Sequence, residues 1–410
     1  MLKEMKYLRY PISIQTFEKI IEGKYAYVDK TDLVYDLAQE NVCFLSRPRR
    51  FGKSLLISTL EAYFTGRKEL FEGLKIDSIE TKWEKYPVFR IDFADGDYTD
   101  SDLLLKKLEE IIGGFEKKYG KSDLYTTLTG RFKYVLELAE EKTGHKAVVL
   151  IDEYDKPMLD VLGTDLEEKN RNILKGFYGT FKSADANLRF VLLTGVTKFS
   201  QISVFSGFNQ PNDISMNSKF DAICGITEEE LHDCFAEPIL EMADRMECTE
   251  DEVKEMLKKQ YDGYHFSQKM LDIYNPFSLI NAFNSMDIEN YWYRSGTPTY
   301  LVKLLEGHSV NMQKLTSKAY ESQYFVDYRA DSEDPLAMLY QSGYLTIKDY
   351  DEQYDEYWLD YPNDEVRKGF VTLMANSYFG KKVEYPDSWI KNLDRMLRRG
   401  DLEEIRDAFT

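Results

Sequence analysis

The sequence predicts an α/β fold: a parallel sheet covered by helices on both faces, followed by a mostly helical domain that carries a small β-hairpin. Three observations predict it. Short apolar runs at Val42–Leu45, Val88–Phe93, Ala147–Ile151 and Arg189–Gly195 read as buried strands. Helical patterns fill the gaps between them, over Asp102–Tyr119, Thr126–Thr143 and Leu166–Lys182, and apolar strands alternating with helices make a parallel sheet. The pattern then changes after residue 226, where Thr227-Glu-Glu-Glu-Leu231 reads as a capping-box helix start and the remainder is largely helical.

Taken in order, residues 1–40 form an N-terminal segment that packs on the core, with helices over Thr16–Glu22 and Thr31–Gln39 around a short strand, Tyr25–Val28. Residues 41–226 form the sheet domain, whose last strand is read as Ala222-Ile-Cys-Gly225. Residues 227–335 make a helical domain. Residues 336–410 make a winged-helix-like element and C-terminal helices, the hairpin being Leu339–Lys348 and Glu356–Tyr361 across Asp349–Asp355. Linker-grade Gly, Pro or Ser tracts are absent, so the domains are expected to pack closely.

Bulk properties bound the function. The chain has 410 residues, of which 43% are hydrophobic and 14% aromatic, enough for two or three folded domains. A net charge of −19 argues against non-specific nucleic-acid binding, which needs clustered Lys and Arg. The cluster Arg395, Arg398 and Arg399 reads as a solvent-facing helix stripe beside Asp394 and Asp401. Cys43, Cys224, Cys234 and Cys248 have no C-x-x-C spacing, which argues against zinc, and scattered reduced cysteines fit the cytoplasm. No apolar run is long enough to span a membrane and no signal peptide is visible, so a cytoplasmic protein with no membrane partner is expected.

The chemistry is carried by Ser46-Arg-Pro-Arg-Arg-Phe-Gly-Lys-Ser54, between an apolar strand and a helix with Leu56, Leu60, Tyr63 and Phe64 on one face. Strand, tight loop and helix N-terminus are the context of a phosphate-binding loop. Gly52 lets backbone approach a phosphate, Lys53 reaches the β- and γ-phosphates, and Ser54 offers its hydroxyl to Mg²⁺. The candidate binding stretch is Arg47, Pro48, Arg49, Arg50, Phe51, Gly52, Lys53, Ser54 and Leu55. Arg47 stands where the usual G-x-x-x-x-G-K-[ST] pattern has its first glycine. Crowding Arg47, Arg49, Arg50 and Lys53 into one loop costs stability unless an anion relieves it; a solvated basic turn is the plainer alternative.

A second motif, Ala147-Val-Val-Leu-Ile-Asp-Glu-Tyr-Asp155, puts carboxylates at the C-terminal end of a buried strand, where open α/β sheets bind ligands. Asp152 is the candidate Mg²⁺-shell acid and Glu153 the candidate general base; taken alone the run also reads as a buried strand with an acidic turn. On a third strand, Thr194 is placed to touch the γ-phosphate or lytic water, and Lys198 to reach the same phosphate; a buried hydroxyl bonded to backbone and a solvated loop cation are the plainer alternatives. A strand lying between the loop strand and the Asp152 strand suits the additional-strand type of P-loop NTPase, order 5-1-4-3-2. Asp29-Lys30-Thr31 reads as a turn in which Thr31 caps a helix, near enough to the loop to contact a nucleotide.

Further segments resemble a known family: Tyr10–Phe17, Tyr27–Thr31, Thr194–Ser200, Tyr261–Phe266, Tyr274–Ser278, Gly296–Pro298, Gln341–Thr346 and Tyr361–Arg367. With the basic loop, they are similar to the AAA-ATPase-like family of P-loop proteins, common in bacteria and often fused to a C-terminal PD-(D/E)XK nuclease domain. The resemblance runs from about residue 10 to 370, and Ser13 sits where glycine is expected. Members of that family carry this basic loop in place of the first glycine. The resemblance implies ATP rather than GTP, a winged-helix-like element, and an effector nuclease domain. No Glu-x-Lys strand follows Pro386-Asp387, and the chain stops inside the helix-like Asp401–Thr410. A shortened chain or gene is therefore expected, and no nuclease activity is expected of these residues. The functional expectation is an ATP-binding protein, a Mg²⁺-dependent ATPase controlling an effector domain or partner; no arginine finger is visible in cis, and a homo-oligomer supplying one would favour this reading. The alternatives are a nucleotide-gated switch with little hydrolysis, and a DNA-binding regulator.

Overall fold

The computed structural model describes residues 9–199, 211–295, 299–306, 312–328, 334–379 and 395. Helices α1 (Phe17–Glu22) and α2 (Thr31–Ala38) lead into β1 (Val42–Ser46) and α3 (Lys53–Phe64). Next come β2 (Val88–Asp92), α4 (Ser101–Tyr119), α5 (Leu128–Thr143), β3 (Ala147–Asp152), α6 (Lys156–Leu159), α7 (Leu166–Ser183) and β4 (Leu188–Gly195). The two-residue β5 (Asn212–Asp213) completes one sheet of order β5-β1-β4-β3-β2, with every pair parallel. The order 5-1-4-3-2 read from the sequence is the order found.

β3 is buried along its whole length, as a strand covered on both faces must be. The register aligns Leu45 with Thr194, Ile151 with Leu193 and Asp92 with Asp152. This brings the carboxyl ends of β1, β4 and β3 to one edge, and α3 starts there.

β6 (Ile226–Thr227), α8 (Glu228–Met246), α9 (Glu250–Tyr261), β7 (Ile273–Tyr274) and α10 (Pro276–Ser285) follow. α8 does open on a capping box between Thr227 and Glu230. The remaining elements are α11 (Tyr291–Arg294), α12 (Thr299–Glu306), α13 (Met312–Thr316), β8 (Ala319–Glu321), α14 (Gln323–Val326), α15 (Leu336–Gln341), β9 (Thr346–Asp351), β10 (Glu356–Asp360) and α16 (Asp364–Phe379). β8, β10 and β9 form a small antiparallel sheet. One hydrophobic core runs from the large sheet into this half, joining Phe44, Leu150 and Leu193 to Trp292, Leu339 and Phe370. A separate cluster ties α8, α9 and α10 together.

Several expectations need correction. Ala222–Gly225 is not a strand: a 3₁₀ turn covers Ser218–Ile223, opened by the Asn217 side chain accepting from Lys219 N–H, and the fifth strand lies earlier, at Asn212–Asp213. Tyr25–Val28 makes only an isolated bridge, between Tyr25 and Arg9. The capping acceptor before α2 is Asp29, which takes the Thr31 N–H at 2.9 Å, while Thr31 Oγ1 is spent on Ile76 N–H. The hairpin is present, but Leu339–Gln341 belongs to α15. Its chain then turns at Gly343 (φ +85°), where a Cβ would lie 2.7 Å from Pro48 Cβ. Only glycine serves both the left-handed turn and the close approach to the basic loop. Ser13, where glycine was expected, is indeed left-handed at φ +60°. Gly296–Pro298, Ser200, Pro386–Thr410 other than Arg395, and with them Arg398 and Arg399, lie outside the described residues.

Leu192 is fully buried at the middle of β4, between β1 and β3, whereas Leu124 is 89% exposed. Leu192→Ala should cost about 3 kcal/mol in urea unfolding, and Leu124→Ala should stay within about 0.5 kcal/mol of wild type. Equal midpoints for the two variants would contradict this placement of the core.

Candidate functional site

The basic loop leaves β1 at Ser46, whose N–H donates to Ser215 Oγ at 2.8 Å. Left-handed backbone at Arg50 (φ +66°) and Gly52 (φ +93°) turns the chain into α3, so the free N–H groups of the first helical turn stand at the carboxyl edge of the sheet. Lys53, only 7% exposed, folds its Nζ back onto the Arg47 and Pro48 carbonyls at 2.8 and 2.9 Å. Burial pushes the Lys53 ammonium down, and Asp152 is the first of the carboxylates that oppose it. Ser54 is half-buried on the same turn.

Across from Lys53 lie the acids. Asp152 is buried, and its Oδ1 accepts from Thr194 Oγ1 at 2.8 Å and from Glu153 N–H at 3.1 Å. Glu153 is half-buried in left-handed backbone at φ +50°. Burial, reinforced by Asp155, pushes its carboxyl up to about 7. Asp155 is buried and its Oδ2 accepts from the N–H groups of Val196 and Thr197 at 2.9 and 2.6 Å, which fixes the end of β4. Burial pushes this carboxyl up to about 6, against the Thr197 hydrogen bond that lowers it. Sequence reasoning gave Asp155 no role, although it stands in the same acidic run.

Lys53, Ser54, Asp152, Glu153 and Thr194 thus share one edge. Two other candidates are turned elsewhere. Arg47 is 1% exposed, and its guanidinium donates to the carbonyls of Ser46, Ser215 and Phe220 at 3.0, 2.8 and 3.1 Å and stacks 3.9 Å from the Phe266 ring centre. Its side chain is a brace for the loop. Lys198 bridges Asp213 and Asp327 at 2.8 and 2.9 Å, and those carboxylates hold its charge in place. Among the rest, Pro48 is buried against Gly343, and Phe51 sits edge-on to Tyr264 and Phe266. Arg49 is half-buried and Arg50 exposed. Leu55 lines an apolar cavity beside Gly52, with Tyr27, Val28, Gly225 and Ile226 on its walls. Lys30 also lines it and is paired with Glu230 at 2.6 Å.

A parallel sheet of order 5-1-4-3-2, with a basic loop and helix N-terminus after β1 and acids after β3, defines a P-loop ATPase fold. The chain belongs to the AAA-ATPase-like family: the profile of that family, described as a predicted AAA-ATPase, matches residues 11–205. An uncharacterized protein from the vnfD 5′ region of Azotobacter chroococcum is 37% identical over 376 residues, covering 90% of this chain and 70% of the relative. Among solved structures, the Aeropyrum pernix ORC1 protein in complex with DNA aligns over 89% of this chain and 97% of its own. With 9% identity and a TM-score of 0.28, that likeness bears no argument. Family and fold together make this a nucleotide-binding, ATPase-like protein. Among the described residues no helix is long and apolar enough to cross a membrane.

The two raised acids give a signed pH dependence. Glu153 and Asp155 hold their protons more tightly folded than unfolded, so their favourable contribution is complete at low pH. It is lost as pH rises from about 4 through about 7. Glu153→Gln should match wild type near pH ~4 and gain on the order of 1–3 kcal/mol over it by pH ~8, read by urea unfolding across that range. A difference that does not change with pH would contradict the raised carboxyl.

Proposed function

We propose that the protein is a Mg²⁺-dependent ATPase whose nucleotide cycle controls an effector domain or partner. The observation that carries this reading is the convergence of Lys53, Ser54, Asp152, Glu153 and Thr194 on the edge where α3 begins. Phosphates rest against the loop and the first-turn N–H groups of α3, with the helix dipole favouring the negative charge. Lys53 exchanges the carbonyls of Arg47 and Pro48 for phosphate oxygens, a charge-assisted gain over neutral acceptors. The apolar cavity beside Gly52 takes the base by burial. ATP rather than GTP follows from family resemblance alone.

The donor set suits magnesium. Among the described residues no group of three or more His, Cys, Asp or Glu is arranged to hold a metal, and Mg²⁺ in such sites takes one or two protein oxygens with the substrate's phosphates. Ser54 and Asp152 are the residues that would hold it. When bound, it neutralises charge on the β- and γ-phosphates. Thr194 orients the Asp152 carboxylate, and Glu153, whose carboxyl burial pushes up to about 7, accepts the proton of the attacking water. Asp155 positions the end of the Thr194 strand.

A second reading, a nucleotide-gated switch with little turnover, is favoured by one observation. The loop arginines Arg47 and Arg49 are gripped by residues beyond 210, including Ser215, Phe266 and Trp292. DNA binding finds no such support in a chain of net charge −19.

ATP binding and phosphate release with Mg²⁺ separate these readings. Lys53→Ala should abolish binding, whereas Glu153→Gln should keep binding and slow release by roughly 10²- to 10⁴-fold. Release by Glu153→Gln equal to wild type would remove Glu153 as base. Tight binding without release in the unaltered protein would favour the switch, and no binding at all would remove both readings.

A further inference from the structure

The three loop arginines are held in three different ways. Arg47 has its three carbonyls and the Phe266 ring. Arg50 is exposed, 5.1 Å from the Phe277 ring centre. Arg49 is held by α11 and the residue after it: its Nη2 donates to Trp292 O at 3.4 Å and to Ser295 Oγ at 3.3 Å. In return Trp292 Nε1 donates to Arg49 O at 3.1 Å.

The grip on the Arg49 side chain is weak where that on Arg47 is firm. Both of its bonds lie beyond the usual N–H···O range. Its Nε is buried with no hydrogen-bond partner. Burial pushes its charge down, and the groups set against that are tyrosine hydroxyls rather than a carboxylate. A phosphate supplies what this cage lacks, an anionic acceptor that a guanidinium can meet through two N–H groups.

What Arg49 grips is itself anchored. Trp292 is fully buried, its N–H donates to Glu365 Oε1 at 2.7 Å, and Glu365 Oε2 accepts from Ser278 Oγ at 2.7 Å. Its ring meets Tyr344 edge-on at 5.1 Å. Trp292 therefore connects the loop to α10, to α16 and to the turn after α15.

We propose that Trp292 and Ser295 are positioning residues for Arg49, competing with loop-bound phosphate for its guanidinium, so that nucleotide binding and the loosening of α11 are one coupled equilibrium. The proposal rests on the nucleotide reading above and names the residues through which the loop's occupancy reaches the later half of the chain. Its sign follows from linkage: weakening a competitor for Arg49 must tighten whatever displaces it. A merely structural contact predicts the opposite, because loosening the fold would weaken binding.

The test uses the full chain with Mg-ATP. Trp292→Phe leaves the backbone carbonyl in place but frees the Arg49 carbonyl and puts a weaker cation–π face where the Trp292 ring lies 5.4 Å from the Arg49 guanidinium, and Ser295→Ala loses the hydroxyl acceptor. Each should bind Mg-ATP ~3- to 10-fold more tightly than wild type, the scale of one or two modest hydrogen bonds. In wild type, Mg-ATP should speed amide exchange across residues 291–295. If Trp292→Phe does not fold, Ser295→Ala carries the comparison alone. Affinity unchanged or weakened in the folded variants, or exchange at 291–295 that Mg-ATP does not raise, overturns the coupling and leaves ATP binding standing. No Mg-ATP binding by the unaltered protein removes the nucleotide reading, and the coupling falls with it.

Discussion

One buried cation fixes the front of this molecule. Arg47 opens the basic loop, yet its guanidinium points into the protein, where backbone carbonyls of Ser46, Ser215 and Phe220 and the face of Phe266 receive it. Taking a guanidinium out of water is costly unless its donors are filled, and here Nε alone goes without a partner. Those contacts join β1, the chain after β5, the 3₁₀ turn and the segment after α9. The loop cannot be displaced without unmaking all of them. Lys53, anchored on the Arg47 and Pro48 carbonyls, takes its place from this brace.

The same brace explains why the later half is not a loosely tethered appendage. Phe51, next in the loop, is covered by Tyr264 and Phe266, Pro48 by Gly343, and the hydrophobic core continues from β1, β3 and β4 to Phe370 on α16. In water each such junction would be cheap to separate if it were polar and exposed; these are apolar and buried, and their stabilisation scales with the area removed from solvent. A change at the edge where α3 begins therefore meets packed side chains, which shift between discrete arrangements rather than deform smoothly.

Much of this was legible in the sequence, for identifiable reasons. β1, β3 and β4 are apolar runs because parallel strands inside the sheet are covered on both faces, β2 alternates because it lies at the edge, and the strand order was suggested by the strand read between the loop strand and the Asp152 strand. The meeting of Lys53, Asp152 and Thr194 followed from that order. β5 left no such signal: two polar residues, Asn212 and Asp213, pair with Cys43 and Phe44 through backbone alone. Ala222–Gly225 looked like the better strand because local apolarity says nothing of whether a neighbour exists. Arg47 and Lys198 drew attention as cations near a candidate phosphate site. What occupies them, Phe220 and Ser215 for one and Asp213 and Asp327 for the other, comes from distant or unrelated stretches of chain. Asp155 was hidden differently, because a carboxylate that accepts from backbone N–H groups carries no motif.

The left-handed backbone at Glu153 has a consequence for how this protein tolerates change. At such a φ, glycine or asparagine relieves a steric cost that a glutamate bears, and a carboxyl that burial keeps half-protonated near neutrality adds to that cost. Stability alone would favour replacing it. Chains drifting under selection for folding only should lose this side chain early, and the catalytic role proposed for Glu153 would account for its presence. On the proposed ATPase reading, relatives that had given up hydrolysis while keeping the architecture would be recognisable by a smaller, uncharged residue at this position and an otherwise unaltered sheet.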